Sequence, residues 1–177
     1  ATVAGTPFGT AQIVYRTKPS LTSGVLGATT GRTRVAIDDI ATLNWSANAA
    51  DDLTISSVKI NFSGLAVANG TASFNASLID ANTNFYWGDS SAQTCTPGFN
   101  NSCVAVFFPA YSITRGSSKA VKLRVNSSAF NNTANTSDSF SAIITASLDI
   151  LWSDGTTTGI GWEPVQMPIT LVNLNYE

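Results

Sequence analysis

Cys95 and Cys103 enclose Thr96-Pro97-Gly98-Phe99-Asn100-Asn101-Ser102. Two thiols this close around a Pro-Gly turn suit a disulfide-closed loop, which would stabilise by about 2–3 kcal/mol through the unfolded chain. The other reading is two free buried thiols in a reducing cytosol; an exported composition favours the bridge. A metal site needs more ligands than two cysteines, and none is assigned. The carboxylates fall as Asp38-Asp39 and Asp51-Asp52, with single aspartates elsewhere and only Glu163 and Glu177 as glutamates. Adjacent aspartates at strand ends could offer oxygens to calcium, but no EF-hand spacing is present, so solvated turn residues are the plainer reading. No pair of carboxylates stands out for glycoside hydrolysis. Histidine is absent, which removes the usual base near neutral pH and leaves the many serines without an activating partner. The chain reads as a non-enzyme with no cofactor. The aromatics Phe85-Tyr86-Trp87, Phe107-Phe108, Trp152 and Trp162 form either a sugar-stacking platform or the packing of a core.

The elements that would position these residues follow from composition and pattern. The 177 residues include only 9 Lys+Arg and 11 Asp+Glu, 11% charged against 44% hydrophobic, where an average soluble domain is roughly 25% charged. That balance excludes a nucleic-acid surface. No apolar run approaches the ~18 residues of a membrane helix. The chain starts at Ala1 with neither a basic nor an apolar leader, and is read as a mature chain whose export signal has been removed. Asn, Ser and Thr replace the missing charge. Asn-X-Ser/Thr triplets begin at Asn44, Asn61, Asn69, Asn75, Asn100, Asn126, Asn131 and Asn135, about twice the number that composition alone would give. They read as N-glycan acceptors or as plain polar surface.

Hydrophobicity repeats with a period of two. Phe140, Ala142, Ile144, Ala146, Leu148 and Ile150 alternate with mostly polar residues and predict one long strand. Leu53 and Ile55 start a strand that Val58, Ile60 and Phe62 continue in the opposite phase, predicting a bulge or a strand junction near Ser56-Ser57. Val121, Leu123 and Val125 make another, and further strands are expected over Gln12–Arg16, Arg34–Asp38, Ile40–Ser46, Ala72–Ile79, Cys103–Phe108 and Pro168–Leu174. Turns fall at Asn69-Gly70, Asp154-Gly155 and Arg115-Gly116-Ser117. No long segment carries a helical period. The fold class is therefore all-β, an antiparallel Ig-like or pilin-like sandwich with an extended N-terminal strand. Residues 1–25 are set apart as a tail, a candidate donor strand and linker, and 26–177 as the sandwich head. The tail reads either as a first strand with a loose terminus or as an extension that pairs with a neighbouring molecule.

Taken together, the Ala1–Thr10 tail with Val3, Gly5 and Phe8, the small cysteine loop and the eight triplets resemble the archaeal thread filament subunits, which are similar in fold to bacterial type I pilins. The resemblance covers the whole chain as an architecture, and no short motif defines it. It implies an extracellular, N-glycosylated structural subunit that polymerises head-to-tail into a helical homopolymer of identical subunits, the tail of one completing the sheet of the next, in adhesion or cell contact. Val3, Gly5 and Phe8 would then be donor-strand residues. The penultimate Tyr176 echoes the penultimate aromatic of bacterial pilins, whose disulfide usually lies elsewhere and which lack glycans. A secreted carbohydrate-binding sandwich using Tyr86 and Trp87, or a surface-layer domain, are the alternatives. The low charge is also read as suiting acid, since few ion pairs could be lost.

Overall fold

The computed structural model describes residues 15–17, 19–67, 73–98, 100–131, 137–162 and 167–177. Within them the period-two segments become strands: β1 Pro19–Val25, β2 Asp38–Ala47, β3 Leu53–Ser63, β4 Phe74–Asp80, β5 Gln93–Cys95, β6 Ser102–Phe107, β7 Tyr111–Ile113, β8 Ser118–Val125, β9 Asp138–Ile144, β10 Ile150–Ser153, β11 Ile160–Gly161 and β12 Ile169–Tyr176. They form two antiparallel sheets. The first runs β1-β2-β8-β4-β5; the second runs β11-β10-β3-β9-β12, with β6 and β7 on the remaining edge of β3. Each strand buries one face against the other sheet, the arrangement of an antiparallel sandwich. No helix among the described residues is long and apolar enough to cross a membrane.

β3 is the axis of the second sheet, and its phase switch is real. Leu53 and Ile55 are buried, and so are Val58, Ile60 and Phe62. Trp152 pairs with Ile55 while Leu151 pairs with Ser57, so Ser56 is the extra residue of a bulge. Its hydroxyl donates to Leu151 O at 2.9 Å. On the opposite edge of β3 the partner also changes, from β6 for Val58–Ser63 to β7 for Leu53–Ile55. One inserted residue thus bends the strand where both neighbours break, as bulges do.

The long strand expected through residue 150 is broken. β9 ends at Ile144, a 3-10 turn covers Ser147–Asp149, and β10 begins at Ile150. Asp149 is the cause. Its Oδ2 accepts from the Thr145 backbone N–H at 3.1 Å, the Ala146 N–H at 2.9 Å and the Thr145 hydroxyl at 2.6 Å. An aspartate that captures backbone donors offers the chain an alternative to the ladder. Ala146 and Leu148 consequently point outward, Leu148 at 70% exposure. Residues 33–37 are likewise not a strand, and β2 starts at Asp38. The boundary at residue 25 does not separate a tail from the head: β1 lies inside 1–25, yet pairs with β2 through every residue from Pro19 to Val25. Tyr15 packs edge-on against Trp152 at 5.2 Å between ring centroids.

Two aromatic groups fill the interior. Phe62, Phe74, Phe130, Phe140 and Tyr176 form one, with Phe130 stacked on Phe140 at 4.9 Å. Trp45, Trp87 and Trp162 form the other, Trp45 stacking on Trp87 at 5.6 Å and meeting Trp162 edge-on at 5.5 Å. Each large side chain contributes roughly 1.5–3 kcal/mol by leaving water. Among the described residues the three indole N–H groups of the second cluster have no hydrogen-bond partner, a cost of about 1–3 kcal/mol each if none is found.

Candidate functional site

The two long sides of the sandwich are finished differently. On one side β5, the edge of the first sheet, meets β6 of the second. Cys95 closes β5 and Cys103 lies in β6, and they form the disulfide with a Cα–Cα distance of 5.6 Å. The bridge expected to close a small loop therefore also clips one sheet to the other. Between the cysteines, Gly98 N donates to Ser102 O at 3.0 Å and Asn101 N to Gly98 O at 3.2 Å.

On the other side the edges are β1 and β12. Among the described residues β1 is bonded only to β2, over seven consecutive pairs without a register shift. Its sequence, Pro-Ser-Leu-Thr-Ser-Gly-Val, contains no charge. Leu21 is buried, but Ser23 and Val25, which share its side of the strand, are exposed, Val25 at 41%. β12 is equally uncharged. Only its end is covered: Asn175 N donates to Thr29 O at 2.8 Å, Arg32 N to Asn175 O at 3.0 Å and Glu177 N to Arg32 O at 3.1 Å. Among the described residues no strand pairs with the outer edge of β1. Such an edge leaves alternate N–H and C=O groups facing outward, and it lacks the lysines, internal prolines and bulges that normally guard one. Val35 and Ile37, in the loop that follows β1, are exposed.

A buried polar latch anchors that loop. Asp38 Oδ2 accepts from the Tyr176 hydroxyl at 2.8 Å and from the Ser127 hydroxyl at 3.0 Å. Arg32 Nε donates to both Asp38 oxygens at 3.1 Å, and its Nη2 donates to Asp38 and, at 3.0 Å, to Asp39 O. Arg32 Nη1 holds the Leu26 and Ala28 carbonyls at 2.7 and 3.0 Å. The Asp38 carboxylate raises the Arg32 pKa against the opposing effect of burial. Burial first, and then the hydrogen bond to Asp38, push the Tyr176 hydroxyl far above its ordinary value. Alongside, Arg34 pairs with Asp138, donates to Asn131 O and Glu177 O, and lies 5.9 Å from the Tyr176 ring centroid. The penultimate tyrosine is thus a structural pin.

The paired aspartates meet cations of this chain. Asp38 is held by Arg32, Asp39 by Arg124 and Lys122, and Asp51 by Arg16 at 2.8 Å. Asp52 accepts from the Arg115 backbone N–H at 2.8 Å. Of the 9 basic residues, seven (Arg16, Arg32, Arg34, Lys59, Lys119, Lys122 and Arg124) are in ion pairs. The sparse charge is nearly all engaged, so the chain has more to lose in acid than its composition implies. Asp80 and Asp149 are held below the usual carboxylate range: burial alone would raise them, but Lys119 and the Thr145 hydroxyl with Lys59, together with backbone N–H donors, outweigh it. Asp154 is lowered chiefly by the Arg16 backbone N–H.

The aromatic run splits. Trp87 lies in the core on Trp45, as do Phe107, Trp152 and Trp162, so Trp87 cannot serve a surface platform. Phe85 and Tyr86 are 77% and 50% exposed, and Phe108 is exposed too. A turn sets them there. Asp80 Oδ1 accepts from Asn82 N at 2.9 Å, and Asn84 takes a φ of 61°, which asparagine tolerates better than most residues. Asp80 N then donates to Phe85 O at 2.8 Å and Trp87 N to Leu78 O at 2.9 Å, so 85–87 lies along β4. Gly88 follows at φ 57°, where a Cβ would stand 2.1 Å from Pro109 O. Ser77, Ile79, Asn84, Phe85, Tyr86 and Arg124 line a shallow depression of about 240 Å³.

Of the triplet asparagines, Asn44, Asn75 and Asn100 are exposed and Asn61, Asn126 and Asn131 half-buried. Asn69 and Asn135 lie outside the described residues, as do Val3, Gly5 and Phe8 and the Asn69-Gly70 turn. Sequence reasoning did not find the latch; two arginines, Arg32 and Arg34, just ahead of Asp38 at the start of β2 were its signal.

No family model matches this chain, and no curated protein does. A similar solved structure is described as AvmM, which catalyzes macrocyclization in alchivemycin A biosynthesis. It is 5% identical at a TM-score of 0.36, over 92% of this chain and 89% of that one. A likeness at that level carries no argument about function.

Proposed function

We propose that the protein is the structural subunit of an extracellular, N-glycosylated filament, in which subunits join head-to-tail by adding a strand to the open side of the sandwich. The observation that carries this reading is the edge of β1: seven uncharged residues without a bulge, with inward-side positions Ser23 and Val25 left uncovered. An added strand would satisfy the outward N–H and C=O groups of β1 and cover those positions, main-chain bonds giving affinity and alternate side chains specificity. Because donor and acceptor are different surfaces, the joint does not close on itself and propagates as a fibre. Residues 1–14 of a neighbouring copy are the proposed donor, with Val3, Gly5 and Phe8 as its anchors. The disulfide and the triplets suit an oxidising, glycosylating route to the cell surface. The role is mechanical rather than catalytic, serving adhesion or cell contact, as the resemblance to archaeal thread subunits implies.

The test is assembly. Native material should appear as fibres in negative stain, and deletion of residues 1–12 should give folded heads that sediment as monomers. Ser23→Lys, which sets a charge toward the open side, should leave circular dichroism and unfolding unchanged while abolishing fibres formed by the full chain. Fibres that persist with both changes sink the proposal.

A further inference from the structure

We infer that the depression beside Phe85 and Tyr86 seats the first sugars of an N-glycan carried on Asn75 of the same chain. The inference rests on the filament reading only in needing the chain to be glycosylated. Asn75 and Ser77 belong to one acceptor triplet and lie on the same face of β4, Asn75 exposed and Ser77 lining the depression. Two residues along a strand span about 7 Å, so a sugar attached at Asn75 starts within its own length of the site. Thr94 Oγ1 donates to Asn75 Oδ1 at 3.2 Å, which fixes the amide's carbonyl side and leaves the nitrogen as the point of attachment.

The lining has the two chemistries a sugar ring needs. Its floor is Ile79, buried although it stands apart from the core cluster and pairs across the strands with Tyr86. Two exposed aromatic residues supply apolar wall for the C–H face of a sugar, an environment that sites of this kind combine with a few fixed polar groups. Those groups are present and held. Arg124 stands opposite Ser77 in the ladder. Its Nε and Nη2 donate to Asp39 at 2.6 and 3.1 Å, and Nη2 also donates to Asn84 Oδ1 at 2.8 Å. Asn84, whose side-chain carbonyl accepts from Arg124, lines the depression as well. The guanidinium is pinned before any ligand arrives, which lowers the cost of binding. Tyr86 pairs with Ile79, but Phe85 is 77% exposed and outside the core cluster, a large apolar side chain that the core does not need.

Hydrogen exchange on the intact glycoprotein tests this. Peptide mass mapping should find Asn75 occupied; an unoccupied Asn75 with other triplets filled overturns the inference and leaves the glycoprotein reading intact. Amides of 84–87 should exchange about two- to tenfold faster in Asn75→Gln than in wild type, the gain expected when a tethered sugar at millimolar effective concentration meets a weak site. Phe85→Ser with Tyr86→Ser should give the same acceleration, and the combined variant no more, since both changes remove one contact. Asn126→Gln, altering the neighbouring triplet, should match wild type. In protein made without glycans, Asn75→Gln should change nothing. Additive effects, an equal effect without glycans, or protection lost with Asn126 instead would each overturn the assignment. So would full protection of Asn75→Gln by the released glycan added at 1 mM concentration or about that, which would mark a site for free sugar.

Discussion

The two sides of the sandwich solve one problem with different chemistry. Where β5 meets β6, the sheets are joined by a covalent bond at the end of a strand. Where β1 meets β12, they are joined by two carboxylates, two guanidinium groups and a phenol gathered behind the edge, and among the described residues no strand pairs with the outer edge of β1. A disulfide removes freedom from the unfolded chain and is indifferent to acid. A buried ion cluster is costly to desolvate and holds only while every partner is present. The contrast separates two devices: one side is clipped covalently, while the other is held by buried charge just behind a strand whose outer edge has no partner among the described residues.

The largest effect should come from the latch. Asp38→Asn leaves the Arg32 guanidinium buried beside a neutral group and should lower unfolding free energy by about 3–5 kcal/mol in urea titrations. Tyr176→Phe, which removes one hydrogen bond only, should cost about 0.5–1.5 kcal/mol. A loss for Asp38→Asn as small as that would mean the cluster is ornamental and the comparison fails. Next comes the clip: Cys95→Ala with Cys103→Ala should cost about 2–3 kcal/mol. The two losses should add within about 0.5 kcal/mol, because the sites share no partner.

Acid sharpens the contrast. The folded-state pKa values of Asp39, Asp80, Asp149 and Asp154 lie below their ordinary values. Their stabilisation is therefore complete above the unfolded carboxylate value, about 4, and is lost as pH falls through the lower folded values. Urea midpoints should be flat near neutrality and drop between about pH 4 and 2. The increment due to the disulfide should stay constant across that range. Midpoints that hold at pH 2 would restore the acid-hardy reading drawn from low charge. The smallest effect should come from Val25→Ala: with its side chain 41% exposed, the change should stay within about 0.5 kcal/mol, whereas Leu21→Ala, four residues earlier on the same side of β1, should cost about 2–5 kcal/mol.

Much of the fold was legible because burial imposes a period. The alternation in Leu53–Phe62, including its change of phase, marks β3 and its bulge correctly, since a one-residue slip would turn apolar side chains to solvent. Where the pattern continued without structural cause it misled. Ala146 and Leu148 keep the rhythm of β9, but Asp149 takes the backbone donors and ends the strand. β1 was missed for the opposite reason: an edge with little to bury shows little alternation, and Ser23 and Val25 are exposed. Trp87 and Tyr86 are neighbours in sequence, yet one is core and the other surface, as successive residues along an extended segment must be.

By itself the sequence determined an all-β chain, its bulge, its close cysteine pair and its Asn-X-Ser/Thr triplets, because strand periodicity and short-range covalent reach are local properties. Only the tertiary structure decided which edges pair, that Asp38 would be claimed by Arg32, Ser127 and Tyr176, and that Asn75, Ser77 and Tyr86 would share one face. Those depend on contacts between residues as much as 138 positions apart, and no local pattern encodes which distant partner a buried charge will find.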